Sequence, residues 1–289
     1  MISGKTRLYG IFGYPVEHTF SPGMHNAAFR KLGMDACYVS FGVRPEDLGE
    51  AAKALIPLGL CGLNVTVPHK EKVIAYLDEL SEEAKLIGAV NTIEIKDRKL
   101  IGHNTDGRGF LRSLRDNAGF NPKGKKILMI GSGGAARAVG FSLALSGAKK
   151  IALLDLDAPK AKKLATDIGE KTGTGVEVVA GESIAAYAAG ADCLINATPL
   201  GLKKTDSLPF AADHIRKNHL VCDLVYNPAE TGFLKAAKAQ GAKSLPGIGM
   251  LLYQGVIAFE IWTNKKAPIS VMKNALSRQI AARRSNRGK

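Results

Sequence analysis

Residues 126–137, KILMIGSGGAAR, constrain the fold more than any other part of this sequence. An intensely apolar strand pattern runs directly into a G-x-G-x-x-A turn that opens a helix. In that setting Gly131 permits the tight turn, Gly133 lets the backbone approach a pyrophosphate, and Ala136 keeps the helix close to the sheet. The amino end of the helix also attracts an anion. The segment therefore predicts a strand-turn-helix unit that binds a dinucleotide.

The end of the next strand bears on which dinucleotide is bound. Residues 155–157, DLD, place Asp155 nineteen residues after Ala136 (155 − 136). A carboxylate at this point accepts a hydrogen bond from a ribose 2′-OH and repels a 2′-phosphate, which favours NAD over NADP. Two features keep NADP open: lysines follow within residues 160–163, and one of the two aspartates can instead cap the helix that comes next.

Strand and helix patterns alternate along most of the chain, which predicts an α/β fold. From 125 to about 244 they indicate a parallel, doubly wound sheet. From 7 to 67 they alternate again, residues 89–105 form a hairpin turned at KDRK, and the last segment reads as two helices. We expect a substrate domain with a small mixed sheet (1–105 and 248–289), a Rossmann-like domain (106–247), and a cleft between them.

The first helix has end signals of its own. Ser21 stands at the expected cap, Pro22 lies in the first turn, and Gly33 follows the end. This arrangement is typical of a helix with defined boundaries.

Four polar clusters fall at predicted strand ends or turns of the first domain. Together they offer hydroxyls, amides, a lysine and a carboxylate, a set that suits a polyhydroxylated acid. Each cluster taken singly is also an ordinary turn sequence. The clusters are HTFSP (18–22), NVTVPHK (64–70), VNT (90–92) and NTDG (104–107).

Cysteines and histidines show no metal-ligand spacing, so we expect no metal site. The cysteines stand apart in apolar runs and are expected to be buried thiols without disulfides. The first residues lack the apolar core of a signal peptide, and no stretch reaches the ~18 apolar residues of a membrane span. A soluble cytoplasmic protein is the expectation. The four cysteines are Cys37, Cys61, Cys193 and Cys222.

The net charge of +14 admits a nucleic-acid surface, an anionic substrate or a basic solubility balance. The basic residues are spread along the chain, with one dense cluster at 277–289 and no aromatic-interleaved basic patch. A basic nucleic-acid-binding protein is therefore a remote alternative. Salt-dependent gel shifts without enzymatic activity would favour it.

The sequence resembles the shikimate dehydrogenase family nearly from end to end. The resemblance is carried, in order, by GYPVEHTFSPGMHNAAF, GLNVTVPHK, GAVNT, GHNTDGRGF, GSGGAARA, NATPLG, DLVYNP and GIGMLLYQG. Membership implies the reversible NADP-linked reduction of 3-dehydroshikimate to shikimate in aromatic amino-acid (chorismate) biosynthesis. We expect a small-molecule substrate, no nucleic-acid or membrane partner, and a monomer or homodimer.

The resemblance assigns roles to particular residues. It makes Lys70 of VPHK the catalytic lysine and Asp106 of NTDG its carboxylate partner, which also binds substrate. Thr19 stands where the family usually has serine, so the hydroxyl is kept and a methyl is added. The other implied substrate residues are Ser21, Thr66, Asn91, Tyr226 and Gln254. The implied cofactor residues are Gly131, Ser132, Gly133, Gly134, Ala135, Asp155, Leu224 and Gly247.

Chemistry explains why a lysine suits this reaction. Hydride transfer to a ketone builds negative charge on oxygen, so a proton donor within hydrogen-bond reach lowers the barrier. Such a donor typically raises the rate by ~10²–10⁴-fold. Asp106 is expected mainly to orient Lys70 and the reacting hydroxyl, or to share a proton with the lysine.

A second departure from the family concerns the cofactor. NADP-dependent members typically show N-R-T after the second strand, whereas residues 155–157 are DLD. This resembles the NAD-preferring quinate/shikimate dehydrogenases, which are the nearest alternative function.

Overall fold

The structure, a computed structural model, describes residues 2–203 and 205–286. Met1, Lys204 and residues 287–289, the end of the basic tail, lie outside the described residues. The chain divides into two compact units. The first extends to Thr105 and resumes at Gln254, and the second is Asp106–Tyr253.

The first unit is built on a mixed sheet, which confirms the predicted architecture. Among the described residues its strand order is β2-β1-β3-β5-β6-β4. β1 pairs in parallel with β2 and β3, β5 is antiparallel to β3 and β6, and β4 runs parallel to β6. The strands are β1 (Arg7–Gly13), β2 (Ala36–Gly42), β3 (Leu60–Val65), β4 (Glu79–Leu80), β5 (Thr92–Lys96) and β6 (Lys99–His103).

Helices cover this sheet. Two of the helical segments are 3₁₀-helices: Lys72–Tyr76, and Pro45–Asp47, which directly precedes the second α-helix. The predicted split of the final segment into two helices is confirmed, with a break at 264–268. The helices are α1 (Ser21–Lys31), α2 (Leu48–Ala54), the 3₁₀-helix Lys72–Tyr76, α3 (Glu82–Ile87), and, at the end of the chain, α9 (Ile248–Thr263) and α10 (Ile269–Asn286).

The start of α1 differs from the expectation. Phe20, not Ser21, is the N-cap residue, and no side chain of that residue caps the helix. The backbone N–H of Ser21 donates to Oγ1 of Thr19 at 3.2 Å. Because Thr19 satisfies one of the unpaired N–H groups at the helix start, Ser21 is not needed as a cap. Its side chain is buried at the first helical position.

The hairpin between β5 and β6 is confirmed where it was predicted. Asp97 and Arg98 turn the chain with φ of 51° and 57°. Positive φ at both central residues is the geometry that matches the twist of the two flanking strands.

α9 is anchored to the first sheet by Trp262. Its indole N–H donates to the carbonyl of Ile93 at 2.9 Å. A Cβ added at Gly62 would lie 2.4 Å from the indole ring, so this position on β3 requires glycine.

The second unit holds a parallel sheet in the order β12-β11-β10-β7-β8-β9, which confirms the predicted doubly wound architecture. β12 was not predicted. The strands are β7 (Lys126–Ile130), β8 (Lys150–Leu154), β9 (Gly175–Val178), β10 (Cys193–Asn196), β11 (Leu220–Asp223) and β12 (Lys243–Pro246). The helices are α4 (Asp106–Ala118), α5 (Gly134–Leu145), α6 (Ala158–Thr172), α7 (Ile184–Gly190) and α8 (Gly232–Ala239).

The cysteines are free thiols, but they are not all buried. Cys193 and Cys222 are buried on neighbouring strands, with sulfur atoms 3.7 Å apart. Cys37 and Cys61 are only partly buried, which corrects the expectation for that pair. Both lie on strands of the first sheet whose burial is incomplete at those positions.

Within the described part of the chain, no helix combines the length and apolar character needed to cross a membrane.

Candidate active site

One edge of the first sheet brings together two of the predicted substrate residues, Thr66 and Asn91. The N–H of Thr66, just beyond β3, donates to the carbonyl of Phe12 on β1 at 2.9 Å. Asn91 lies just before β5, and its carbonyl accepts from the N–H of Val65 at 2.8 Å. The N–H of Asn91 donates to the carbonyl of His103, at the end of β6, at 3.1 Å. Strand ends that are distant in sequence therefore present their side chains at the same edge.

Asn91 is the centre of a buried polar network at this edge. Its Oδ1 accepts from the N–H of Thr105 at 2.8 Å and from the hydroxyl of Thr92 at 3.1 Å. Its Nδ2 donates to Oγ1 of Thr105 at 2.9 Å and lies 3.5 Å from Oε1 of Gln254 on α9. The network fixes the orientation of the amide and brings together two of the predicted substrate residues.

Further buried polar groups hold the backbone and the neighbours of Asn91 in place. Tyr38 donates to Oδ1 of Asn64 at 2.8 Å, and Nδ2 of Asn64 donates to the carbonyl of Asn91 and to the hydroxyl of Thr92. All four side chains are buried. Asn64, Thr92 and Thr105 are not among the predicted substrate residues. Their positions inside the clusters NVTVPHK, VNT and NTDG are the sequence signal that indicates them.

Lys70 follows a turn that is held at both ends. The N–H of His69 donates to the carbonyl of Thr66 at 2.9 Å, and its buried ring places Nε2 2.7 Å from the carbonyl of Val43. Because a carbonyl only accepts, Nε2 carries the proton. The carbonyl of Lys70 accepts from Val90 at 2.7 Å, and its side chain is half-buried. Lys70 is thus held next to the segment that carries Asn91.

Thr19 and Ser21 lie together at the start of α1, in the loop that follows β1. Thr19 is half-buried and Ser21 buried. Their hydroxyls lie beyond the carboxyl end of β1, the strand whose last residues contact the segment of Thr66.

Among the residues that the structure describes, no group of three or more histidine, cysteine or carboxylate side chains is arranged to hold a metal ion.

The glycine-rich loop of the second unit fits a dinucleotide phosphate. Gly131 has φ +112°, and a Cβ there would lie 2.6 Å from the carbonyl oxygen of Ala197. Gly133 is the N-cap residue of α5, and a Cβ there would meet nothing within 4 Å, so its backbone faces open space. Gly134 and Ala135 open the helix. Backbone N–H groups at an accessible helix start are an anion-binding arrangement.

Asp155 lies at the carboxyl end of β8, beside this loop. Its Oδ2 accepts from the hydroxyl of Ser132 at 2.6 Å, and its Oδ1 accepts from the N–H of Asp157 at 3.0 Å. Burial acts to raise the pKa of Asp155, but these hydrogen bonds and the nearby Lys160 outweigh it and leave the pKa below its usual value. Asp157 is the residue that caps α6, by accepting from Lys160 at 3.0 Å.

The remaining predicted residues also belong to the second unit. Asp106 is buried at the first position of α4. Tyr226 is half-buried just beyond β11. Leu224 donates its N–H to the carbonyl of Asn196 at 2.9 Å, and a Cβ at Gly247 would lie 2.4 Å from the carbonyl oxygen of Leu224. The absence of a side chain at Gly247 therefore allows its backbone to lie against the backbone of Leu224.

Two family models match the chain. Residues 11–93 match the shikimate dehydrogenase substrate binding domain, and residues 247–276 match the shikimate 5′-dehydrogenase C-terminal domain.

Individual relatives match over nearly their whole length. A shikimate dehydrogenase (NADP(+)) of Desulforamulus reducens is 48% identical over 97% of this chain and 98% of its own. A crystal structure of shikimate dehydrogenase with NADP+ superposes with a TM-score of 0.90, at 43% identity over 97% and 98% of the two chains. The Listeria monocytogenes shikimate 5-dehydrogenase, in complex with shikimate and NAD, gives a TM-score of 0.88 at 38% identity over 95% and 98%. The chain belongs to the shikimate dehydrogenase family.

Proposed function

We propose that the chain catalyses the reversible NAD(P)H-dependent reduction of 3-dehydroshikimate to shikimate, a step of aromatic amino-acid (chorismate) biosynthesis. The observation that carries the proposal is the edge of the first sheet, where Thr66, Lys70 and the Asn91 network converge. The glycine-rich loop of the second unit supplies the matching cofactor site. Relatives named shikimate dehydrogenase support the same reaction.

The polar edge suits a ring that carries several hydroxyls and a carboxylate. Each hydroxyl of such a substrate needs a directional donor or acceptor, which amides and hydroxyls provide. We assign Thr19 and Ser21 to the carboxylate end and Thr66, Asn91 and Gln254 to ring hydroxyls, with Tyr226 as a further contact. Because the amide of Asn91 is already fixed by its neighbours, it binds substrate without a large loss of side-chain entropy.

Lys70 is the proposed proton donor to the carbonyl oxygen of 3-dehydroshikimate. In the reverse direction its amine accepts the proton of the substrate alcohol. Asp106 is proposed to orient Lys70 and the reacting hydroxyl. The turn that carries Lys70 is pinned through His69 and Val90, which supports a fixed position for the lysine backbone.

A bound nicotinamide supplies the hydride, while the chain binds and orients the dinucleotide. We assign Gly131 to Ala135 to the pyrophosphate, Asp155 to the adenosine ribose, and Leu224 and Gly247 to the nicotinamide half. The ionised carboxylate of Asp155 supports NAD, whereas the names of the relatives support NADP. An NAD-dependent quinate/shikimate dehydrogenase is the second candidate, favoured by the same Asp155.

The cytoplasm is the proposed compartment. Cys193 and Cys222 are thiols with sulfur atoms 3.7 Å apart, which suits a reducing environment. A monomer or a homodimer is the proposed assembly.

Initial rates with shikimate and with quinate, each with NAD and with NADP, test the function. We expect oxidation of shikimate with at least one cofactor. Comparable rates with quinate would favour the broader enzyme, and no rate with any pair would refute the proposal.

A further inference from the structure

We propose that Asp223 is a positioning residue that, together with Asn196 and Thr231, holds the carboxyl ends of β10 and β11 in the form that receives the nicotinamide half of the dinucleotide. The inference rests on the proposed dinucleotide-dependent function.

Asn196 and Asp223 are the last residues of β10 and β11 and face each other in register. Nδ2 of Asn196 donates to Oδ1 of Asp223 at 2.9 Å, and Oδ1 also accepts from the N–H of Val225 at 3.0 Å. Oδ2 of Asp223 accepts from the hydroxyl of Thr231 at 2.5 Å. The three side chains of the network are buried. One carboxylate therefore joins two strand ends and the start of α8.

The network reaches the loop that follows β10. Nδ2 of Asn196 also donates to the carbonyl of Leu200 at 2.8 Å, while its Oδ1 accepts from the N–H and the hydroxyl of Thr198. Thr231 in turn caps α8 by accepting from the N–H of Leu234 at 3.3 Å. The shapes of the loops after β10 and β11 thus depend on a single shared acceptor, the carboxylate of Asp223.

Topology places these loops where the nicotinamide half binds. In a doubly wound sheet, dinucleotides bind outside the carboxyl ends of the strands, one mononucleotide on each half of the sheet. Asp155, directly after β8, and the loop after β7 are the residues assigned to the adenosine and the pyrophosphate. The other half is β10, β11 and β12, and Ala197 after β10 already packs against Gly131 of the phosphate loop.

The chemistry of the partners explains why a carboxylate is needed. Asn196, Val225 and Thr231 all donate toward Asp223, and an ionised carboxylate accepts at both oxygens. An amide at this position would keep one acceptor oxygen and turn an NH₂ group toward either Asn196 or Thr231. Burial raises the pKa of Asp223 to about 6 despite these hydrogen bonds, so the group is ionised at neutral pH. A buried ionised group with this many donors is costly to place, and general packing does not require it.

Two ligands separate a positioning role from a structural one. ADP has the adenosine and both phosphates of NAD but neither the nicotinamide nor its ribose, and its 2′-phosphate derivative stands in the same relation to NADP. We compare the dissociation constant of NADH or NADPH, whichever the unmodified enzyme binds more tightly, with that of the corresponding nicotinamide-free ligand, by calorimetry. The variants are Asp223→Asn and the matched control Asp213→Asn, an exposed aspartate of the same unit.

We expect Asp223→Asn to weaken binding of the reduced dinucleotide by about 5- to 30-fold, the factor for one lost buried hydrogen bond. Binding of the nicotinamide-free ligand should stay within about twofold, and Asp213→Asn should change neither. Equal weakening of both ligands, or no weakening, would overturn the inference.

A second pair of variants keeps the test valid if Asp223→Asn does not fold. Thr231→Val removes the hydroxyl that donates to Oδ2, whereas Thr231→Ser retains it. We expect the selective loss in Thr231→Val and its rescue in Thr231→Ser, and an equal loss in both would overturn the inference. If the unmodified enzyme binds neither ligand, the proposed function itself is overturned. If the unmodified enzyme binds both ligands and the variants lose affinity for both equally, only the positioning role is refuted.

Discussion

Ser132 donates a 2.6 Å hydrogen bond to Oδ2 of Asp155, which links the glycine-rich loop to the end of the neighbouring strand. The N–H of Asp157 holds the other carboxylate oxygen at 3.0 Å. These bonds lower the pKa of Asp155 against the effect of burial, so the carboxylate stays ionised and fixed. We propose that this fixed negative charge at the end of β8 favours a ribose 2′-OH over a 2′-phosphate.

Asp155→Asn is expected to shift cofactor preference toward NADP. The substitution removes the repulsion of the 2′-phosphate and keeps one acceptor for the 2′-OH, so NADP use should improve and NAD use fall modestly. Adding Leu156→Arg should increase the shift, because this position is fully exposed and arginine can bind phosphate in a bidentate manner. The measurement is kcat/KM for both cofactors.

Asp157→Asn is the control for this prediction. Asp157 caps α6, and asparagine is an equally good cap, so the ratio of the two cofactors should not change. If the unmodified enzyme already prefers NADP and Asp155→Asn changes little, Lys160, Lys162 or Lys163 binds the phosphate instead.

Lys70→Ala is expected to lower kcat by ~10²–10⁴-fold while KM for shikimate changes little, because a proton-transfer group acts chiefly in the transition state. Lys72→Ala, which removes an exposed lysine two residues further on, should leave both constants unchanged. Steady-state kinetics of the three proteins check this. Near-normal turnover of Lys70→Ala would remove the lysine from the mechanism.

Gln254→Ala is expected to raise KM for shikimate by about 5- to 30-fold, more than it lowers kcat, because a binding hydrogen bond is lost in ground state and transition state alike. The buried amide also lies 3.5 Å from Nδ2 of Asn91, so it helps to orient that side chain. Gln240→Ala, at an exposed position after α8, is the control. A drop in kcat at unchanged KM would show that Gln254 acts in the chemical step.

Local sequence patterns were sufficient to predict the elements whose conformation is set by residues close together in the chain. The short β-rich run that forms β1 and the turn at Asp97 and Arg98 were predictable, because their signals lie within a few residues of each other. β12 was missed because KSLP has only one buried residue, Leu245, and contains a proline. It becomes a strand through its pairing with β11.

The candidate site was predictable in its positions but not in its contacts. Strand ends at one sheet edge share a location, so motifs at those ends indicated the residues that converge there. The hydrogen bond from Tyr38 to Asn64 joins residues 26 apart, and the capping role of Thr19 depends on how α1 begins. Such contacts depend on tertiary packing, which no local pattern encodes.

His25 makes the stability of the first unit depend on pH, with lower stability in acid. Its ring is fully buried, stacks on Tyr38 with centroids 4.5 Å apart, and has no hydrogen-bond partner on either nitrogen among the described residues. Burial lowers the pKa of His25 to about 3 from an ordinary 6.5. Between those values the unfolded chain binds a proton that the folded chain does not, so stability falls as the pH drops below about 6.5.

The expected size of this effect is about 2 kcal/mol between pH 7 and pH 5, at about 1.4 kcal/mol per pH unit below 6.5. His25→Phe keeps an aromatic ring in the stack and removes the titrating group. The free energy of unfolding in urea, measured for both proteins at pH 7 and pH 5, should therefore fall by about 2 kcal/mol more in the unmodified protein. All other titrating groups are common to both proteins and cancel in this difference. Equal losses in the two proteins would mean that His25 takes up its proton in the folded state as readily as in the unfolded chain.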